Sequence, residues 1–139
     1  MDIQKYAGYF HDGIVYDIKQ SENELIFSLE SAELRPEWNE DNIVLSKRNS
    51  ICGRIHLLGV RKIIIDEKIS TDQLEMTYDE GNIYDLEVNS NRVLLCASWE
   101  NYHPKTPEVT DFFIYKIEAE KIYWENIPTA FDESWDALD

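Results

Sequence analysis

The sequence predicts a mainly β domain, α+β at the margin, folded as an antiparallel sandwich or partly closed barrel with a short C-terminal helix. Three observations carry this. Apolar and polar residues alternate at a period of two in run after run, the spacing of half-buried strands. Helical spacing is confined to the C-terminal end. Five glycines and four prolines, scattered singly, leave no linker between two domains, so residues 1–139 read as one.

The first pair of strands is the clearest. Ile14, Tyr16 and Ile18 alternate with Val15, Asp17 and Lys19. After the turn-forming Gln20-Ser21-Glu22-Asn23, Leu25, Phe27 and Leu29 alternate with Ile26, Ser28 and Glu30. This reads as a hairpin whose core face is Ile14, Tyr16, Ile18, Leu25, Phe27 and Leu29. Further strands are expected at residues 43–46, 51–58, 62–66, 83–88, 92–99, 111–117 and 121–124, eight or nine in all. Gly53, inside one of them, marks a bulge or a close backbone approach. Ser70-Thr71-Asp72-Gln73 has the capping-box pattern but leads into too few residues for more than a turn or two.

The C-terminal helix is expected over residues 130–138. Asp132 and Glu133 would occupy its first turn, where the helix dipole favours acids, and Phe131, Trp135 and Leu138 would share one stripe. So short a helix must dock to persist, either over an open end of the sheet core or, through Trp135, into a partner; undocked, it would fray into a tail.

The two half-chains also echo each other at an offset of 68 residues. Gly13-x-Val15-Tyr16-Asp17-Ile18 overlays Gly81-x-Ile83-Tyr84-Asp85-Leu86, Asn23 overlays Asn91, and Leu25-Ile26-Phe27 overlays Val93-Leu94-Leu95. Two hairpin-led units, about 10–67 and 78–139, would each leave one face unburied and pack on the other.

Charge narrows the partner. Thirteen Lys and Arg oppose 28 Asp and Glu, a formal −15 with a pI near 4.4. Nucleic-acid binding needs a basic footprint that releases counterions, and anionic membrane needs the same, so neither is expected. A cationic protein is. Self-repulsion at this charge works against the compact state, so a neutralising partner would stabilise the fold, and the chain is expected as a monomer or as a homodimer through an exposed edge strand.

The N-terminus lacks the charged and apolar regions of a secretory signal, and the longest clean apolar run, 93–97, is far short of the ~20 residues that cross a bilayer. A cytoplasmic protein is expected. Cys52 and Cys96 sit in apolar strand-like stretches and read as free, buried thiols. No zinc spacing is present, and no metal or cofactor is expected.

No catalytic signature stands out: neither a GxSxG elbow nor a Gly-rich phosphate loop occurs. The enzyme alternative is a small metal-dependent or carboxylate hydrolase centred on His11, Asp12 and Glu30. Against it, neighbours in an extended segment point apart, and His11 suits a bond from its imidazole to a backbone carbonyl at the mouth of the first strand. His56 reads as half-exposed sheet surface and His103 as a solvated loop residue. A further alternative is a small-ligand-binding β domain with Tyr16 and Tyr84 lining an apolar pocket.

For binding, the candidates are Trp38, Trp99, Glu100, Trp124, Glu125, Trp135 and Asp136. Exposed Trp supplies interface hot spots, and the flanking acids draw in a basic partner. Residues 118–139 alone carry seven acids and one Lys.

Tyr9-Phe10-His11-Asp12-Gly13, running into Ile14 to Ile18 and later Leu29-Glu30-Ser31-Ala32-Glu33, resembles the opening of a group of small bacterial proteins. Some of these are grouped with toxin-neutralising immunity proteins. Leu45-Ser46, Ile51-x-Gly53-x-Ile55 and Ile122-Tyr123-Trp124-Glu125-Asn126 extend the resemblance along most of the chain. It implies a compact, β-rich cytoplasmic domain of a kind that includes toxin binders, and it carries over no functional residues. The expectation is therefore a non-enzymatic acidic binding domain, with immunity against a basic toxin as its leading case.

Overall fold

The computed structural model describes residues 1–101 and 110–132. The chain opens with α1 (Ile3–Tyr6) and a 3₁₀ turn (Ala7–Phe10). Seven strands follow: β1 (Ile14–Gln20), β2 (Glu24–Glu33), β3 (Ser50–Ile65), β4 (Lys68–Ile69), β5 (Glu80–Val88), β6 (Arg92–Glu100) and β7 (Thr110–Asn126). Every pairing is antiparallel, in the order β2-β1-β5-β6-β7-β3-β4. Because β2 also pairs with β3, the sheet curls back on itself. The result is a partly closed barrel. Its seam is the short β1–β5 contact, with only Ile14 opposite Asn82 and Val15 opposite Gly81.

The first hairpin forms as its alternation predicts, but its register carries a bulge. Val15 faces Leu29 while Asp17 faces Ser28, so Tyr16 is an extra residue on β1. The bulge resets which side chains point inward: Val15 and Ile18 are buried, while Ile14 and Tyr16 are only partly so. The inward set Ile14 and Tyr16 is corrected to Val15 on this account. The second hairpin repeats the device. Ile83 faces Ala97 while Asp85 faces Cys96, which makes Tyr84 the extra residue and sends Ile83 and Leu86 inward. Its turn repeats as well: Ser21 donates to the Glu24 carbonyl in the first hairpin, and Asn89 to that of Arg92 in the second.

Among the described residues seven strands stand where eight or nine were expected. The segments 51–58 and 62–66 belong to one long strand, β3, and 111–117 and 121–124 to one long strand, β7. These two pair from Gly53 opposite Asn126 to Ile65 opposite Tyr115, with a register shift between Val60 and Lys62. Gly59, at φ +62, turns β3 at this point, so the strand bends around the barrel instead of ending. Residues 43–46 form no strand, and 70–73 form no helical turn. Gly53 meets the close-approach reading. A Cβ there would sit 2.1 Å from the Glu125 carbonyl oxygen and 2.9 Å from the Trp124 ring.

The barrel interior is filled by side chains, chiefly Leu25, Phe27, Leu29, Ile55, Leu57, Ile83, Leu95 and Trp99, all fully buried. Each such aliphatic or aromatic group contributes about 1.5–3 kcal/mol over an exposed one. One mouth is stopped by the N-terminal turns. The Asp2 carboxylate caps α1 by accepting from the Gln4 N–H, and the segment buries Ile3, Tyr6, Ala7 and Phe10. A four-residue helix cannot stand alone; burial of these four residues holds it.

Both cysteines are free and buried. Among the described residues no helix is long and apolar enough to cross a membrane. The C-terminal helix expected over 130–138 lies mostly outside the described residues. Its described start is a turn that buries Phe131.

Candidate functional site

Glu30 is the one buried acid among the described residues, at 4% exposure. Its position on β2 follows Leu29, which faces the core, so its carboxylate points to the outside of the barrel wall. There it is roofed by the turn before β3 and by Phe131 and Asp132. One oxygen accepts from the Tyr16 hydroxyl at 2.9 Å; the other accepts from Arg48 Nε at 2.7 Å and the Ser50 hydroxyl at 2.6 Å. Ser46 and Ser50 bond to each other at 2.6 Å, and Arg48 also reaches Asp132 at 3.6 Å.

Burial and the Glu30 charge push the nearby Cys52 thiol up to about 12, so it is an inert thiol and not a thiolate nucleophile. Three donors meet the Glu30 carboxylate, and its buried charge is paired with Arg48. This is how a sheet wall holds a loop and a chain end in place.

His11 lies elsewhere. The chain at Asp12 takes a positive φ of 67, so the segment turns instead of extending, and His11 Nε2 comes within 3.7 Å of the Asp12 carboxylate. The expectation that the two point apart is corrected by that turn. Nδ1 donates to the Tyr84 carbonyl, a backbone contact at the head of β1, and the ring meets Tyr84 edge-on. The contacts of Glu30 are Tyr16, Ser46, Arg48 and Ser50; those of His11 are Asp12 and Tyr84. The candidate trio His11, Asp12 and Glu30 shares no partner.

His56 is nearly buried, not half-exposed, because Tyr123 stacks flat on it with ring centroids 4.6 Å apart. Its Nδ1 is 2.5 Å from Glu24 and its Nε2 2.8 Å from Glu125, so it ties β2, β3 and β7 together across their outer faces. Glu125, a binding candidate, is spent in part on this tie. His103 lies outside the described residues. Among the described residues no group of three His, Cys, Asp or Glu side chains is placed to hold a metal ion.

The described tryptophans do not gather into one surface. Trp99 is 1% exposed and packs inside the barrel against Tyr78 and Tyr115, so it is core and presents nothing to a partner. Trp124 is partly buried on Phe10, with its indole N–H donated to Asn126. Trp38 is exposed, stacked on Tyr9 under Arg35. Glu100 is exposed on β6, while Trp135 and Asp136 lie outside the described residues.

All described acids other than Glu30 are exposed or partly exposed. Two features escaped the sequence reading. Glu80 and Glu100 stand directly opposite each other, and burial together with the Glu100 charge raises the Glu80 carboxyl above its ordinary range. The second feature is an apolar face outside the barrel: Tyr84, Phe112 and Ile114 at 64%, 47% and 37% exposure. The pocket lined by Tyr16 and Tyr84 is corrected here. Both rings sit at bulges on the outer wall, so neither lines an interior. The signal that could have found them was the repeated Val/Ile-Tyr-Asp-Ile/Leu, where two apolar residues spaced by three straddle a tyrosine.

No family model matches the chain, and no curated protein and no solved structure matches it.

Proposed function

We propose that this chain is a non-enzymatic, acidic protein-binding domain whose partner is a cationic protein, with neutralisation of a basic toxin as the leading case. One observation carries the reading: in a chain of charge −15, the described acids other than Glu30 are exposed or partly exposed around a barrel whose interior is filled by apolar side chains. Such a surface steers a basic partner in from a distance and covers it on arrival. Glu30, the one buried acid among the described residues, is occupied by Tyr16, Arg48 and Ser50 and supports the wall.

The test is co-expression with the product of the neighbouring gene, followed by stopped-flow association over a salt series. The expected result is a complex whose association rate falls about tenfold or more as the Debye length shrinks from about 10 Å to 3 Å. No complex, or an association indifferent to salt, overturns the proposal.

A further inference from the structure

We propose that the outer wall of β5, β6 and β7, centred on Tyr84, Phe112 and Ile114, is the face on which a protein with an apolar centre and a basic rim docks. The inference rests on the reading of the chain as an acidic binding domain and names its contact surface.

The face is built by register. Asn82, Ser98 and Phe112 lie side by side across the three strands; in the next row Asp85, Cys96 and Ile114 do so, and then Glu87, Leu94 and Lys116. The bulge on β5 throws Tyr84 outward, where its ring meets Phe112 edge-on at 6.0 Å and His11 at 5.6 Å. Single exposed apolar residues are ordinary on a soluble protein. Three large ones on one sheet face, two of them in ring contact, form a patch of the kind that marks an interaction surface.

The molecule contains its own comparison. Tyr16 occupies the corresponding bulge on β1, and there Phe131 stacks on it with ring centroids 3.7 Å apart. The chain thus covers the Tyr16 wall with its own C-terminal turn. At Tyr84 the described ring neighbours are His11 and Phe112, both themselves exposed.

Charge decides what fits over it. Glu80, Asp85, Glu87 and Glu100 run along the β5–β6 side of the patch, and none of them forms an ion pair among the described residues. Asp12 adds a further carboxylate beside His11. Glu80 facing Glu100 is a like-charge pair left in place on the wall, and an arriving Lys or Arg relieves it. A second copy of this chain would set acids against acids. Lys116, opposite Leu94, bounds the patch at its other end.

The test uses two synthetic 14-residue peptides, one alternating Lys and Leu and one all Lys, titrated at low salt into the isotope-labelled full chain. Backbone amide shifts are followed by NMR. The Lys–Leu peptide is expected to move the amides of residues 82–85, 96–98 and 112–114. The double variant Phe112→Ser, Ile114→Ser is expected to weaken that peptide about tenfold and the all-Lys peptide less than twofold. Unfolding curves check the fold, and Tyr84→Ser serves if the double variant is unstable.

If both peptides move the same scattered set of acids and the variants change neither, the docking face is overturned while the acidic field stands. If neither peptide binds, the acidic field falls as well. A dimer seen by sedimentation and abolished by Phe112→Ser, Ile114→Ser would assign the face to a second copy and overturn the proposed partner.

Discussion

Replacing Glu30 by Ala tests whether this carboxylate is a structural anchor. The side chain is 4% exposed and accepts from Tyr16, Ser50 and Arg48 at 2.6–2.9 Å. Truncation removes the nearest carboxylate from the Arg48 guanidinium, which still meets Asp132 at 3.6 Å, and takes an acceptor from the Tyr16 and Ser50 hydroxyls. Breaking a buried pair from one side costs about 3–5 kcal/mol. The distant Asp132 and the partial exposure of Arg48 place the expected loss nearer 3. For a chain of this size that is roughly 10 °C in Tm. Urea unfolding followed by tryptophan fluorescence reads it directly. The double variant Glu30→Ala, Arg48→Met should lose less than the sum of the single changes, because each single change removes the same Glu30–Arg48 contact. A Glu30→Ala loss under about 1 kcal/mol, or strict additivity in the cycle, would refute the argument.

Three further outcomes follow from the same structure. Glu80→Gln should stabilise the fold at neutral pH by about 0.5–1 kcal/mol, since it removes a like-charge pair. The pH dependence has a definite sign: with its carboxyl raised, the folded chain holds that proton more tightly than the unfolded one. Wild-type stability should therefore fall as pH rises from the ordinary glutamate range to the raised value, and the variant should lose that component in parallel urea titrations. Gly81→Ala should cost about 1–3 kcal/mol and alter the near-ultraviolet circular dichroism of Trp99, because the new methyl would sit 2.5 Å from the indole ring. Glu67→Gly should raise the unfolding free energy by about 0.5–1 kcal/mol, since Asp66 and Glu67 form a two-residue turn between β3 and β4 with both φ positive.

The hairpins were legible because alternation and turn chemistry agree over Ile14 to Glu30 and again over Ile83 to Ala97. Their faces were not fully legible. One extra residue at Tyr16 and at Tyr84 reverses the parity on one side of each bulge, and a strict period of two carries no mark of that slip. The long strands β3 and β7 were read as fragments for a related reason. Gly59 and the polar Glu118-Ala119-Glu120-Lys121 look like punctuation, yet backbone pairing continues through them, with a shift near Val60, as the barrel bends. The N-terminal plug was missed because four helical residues have no period to detect; only burial of Ile3, Tyr6 and Phe10 makes them an element. For the site, composition located the charge but not its arrangement. Trp99, a binding candidate, is core, while Tyr84, which overlays the expected core residue Tyr16, is the most exposed aromatic among the described residues.

The most direct measurement is of the surface potential itself, residue by residue, from NMR relaxation by a pair of paramagnetic cosolutes, one cationic and one anionic. The account predicts strong enrichment of the cationic probe along the β5–β6 wall beside Tyr84, fading as salt is added. Equal relaxation by the two probes along that wall would contradict it.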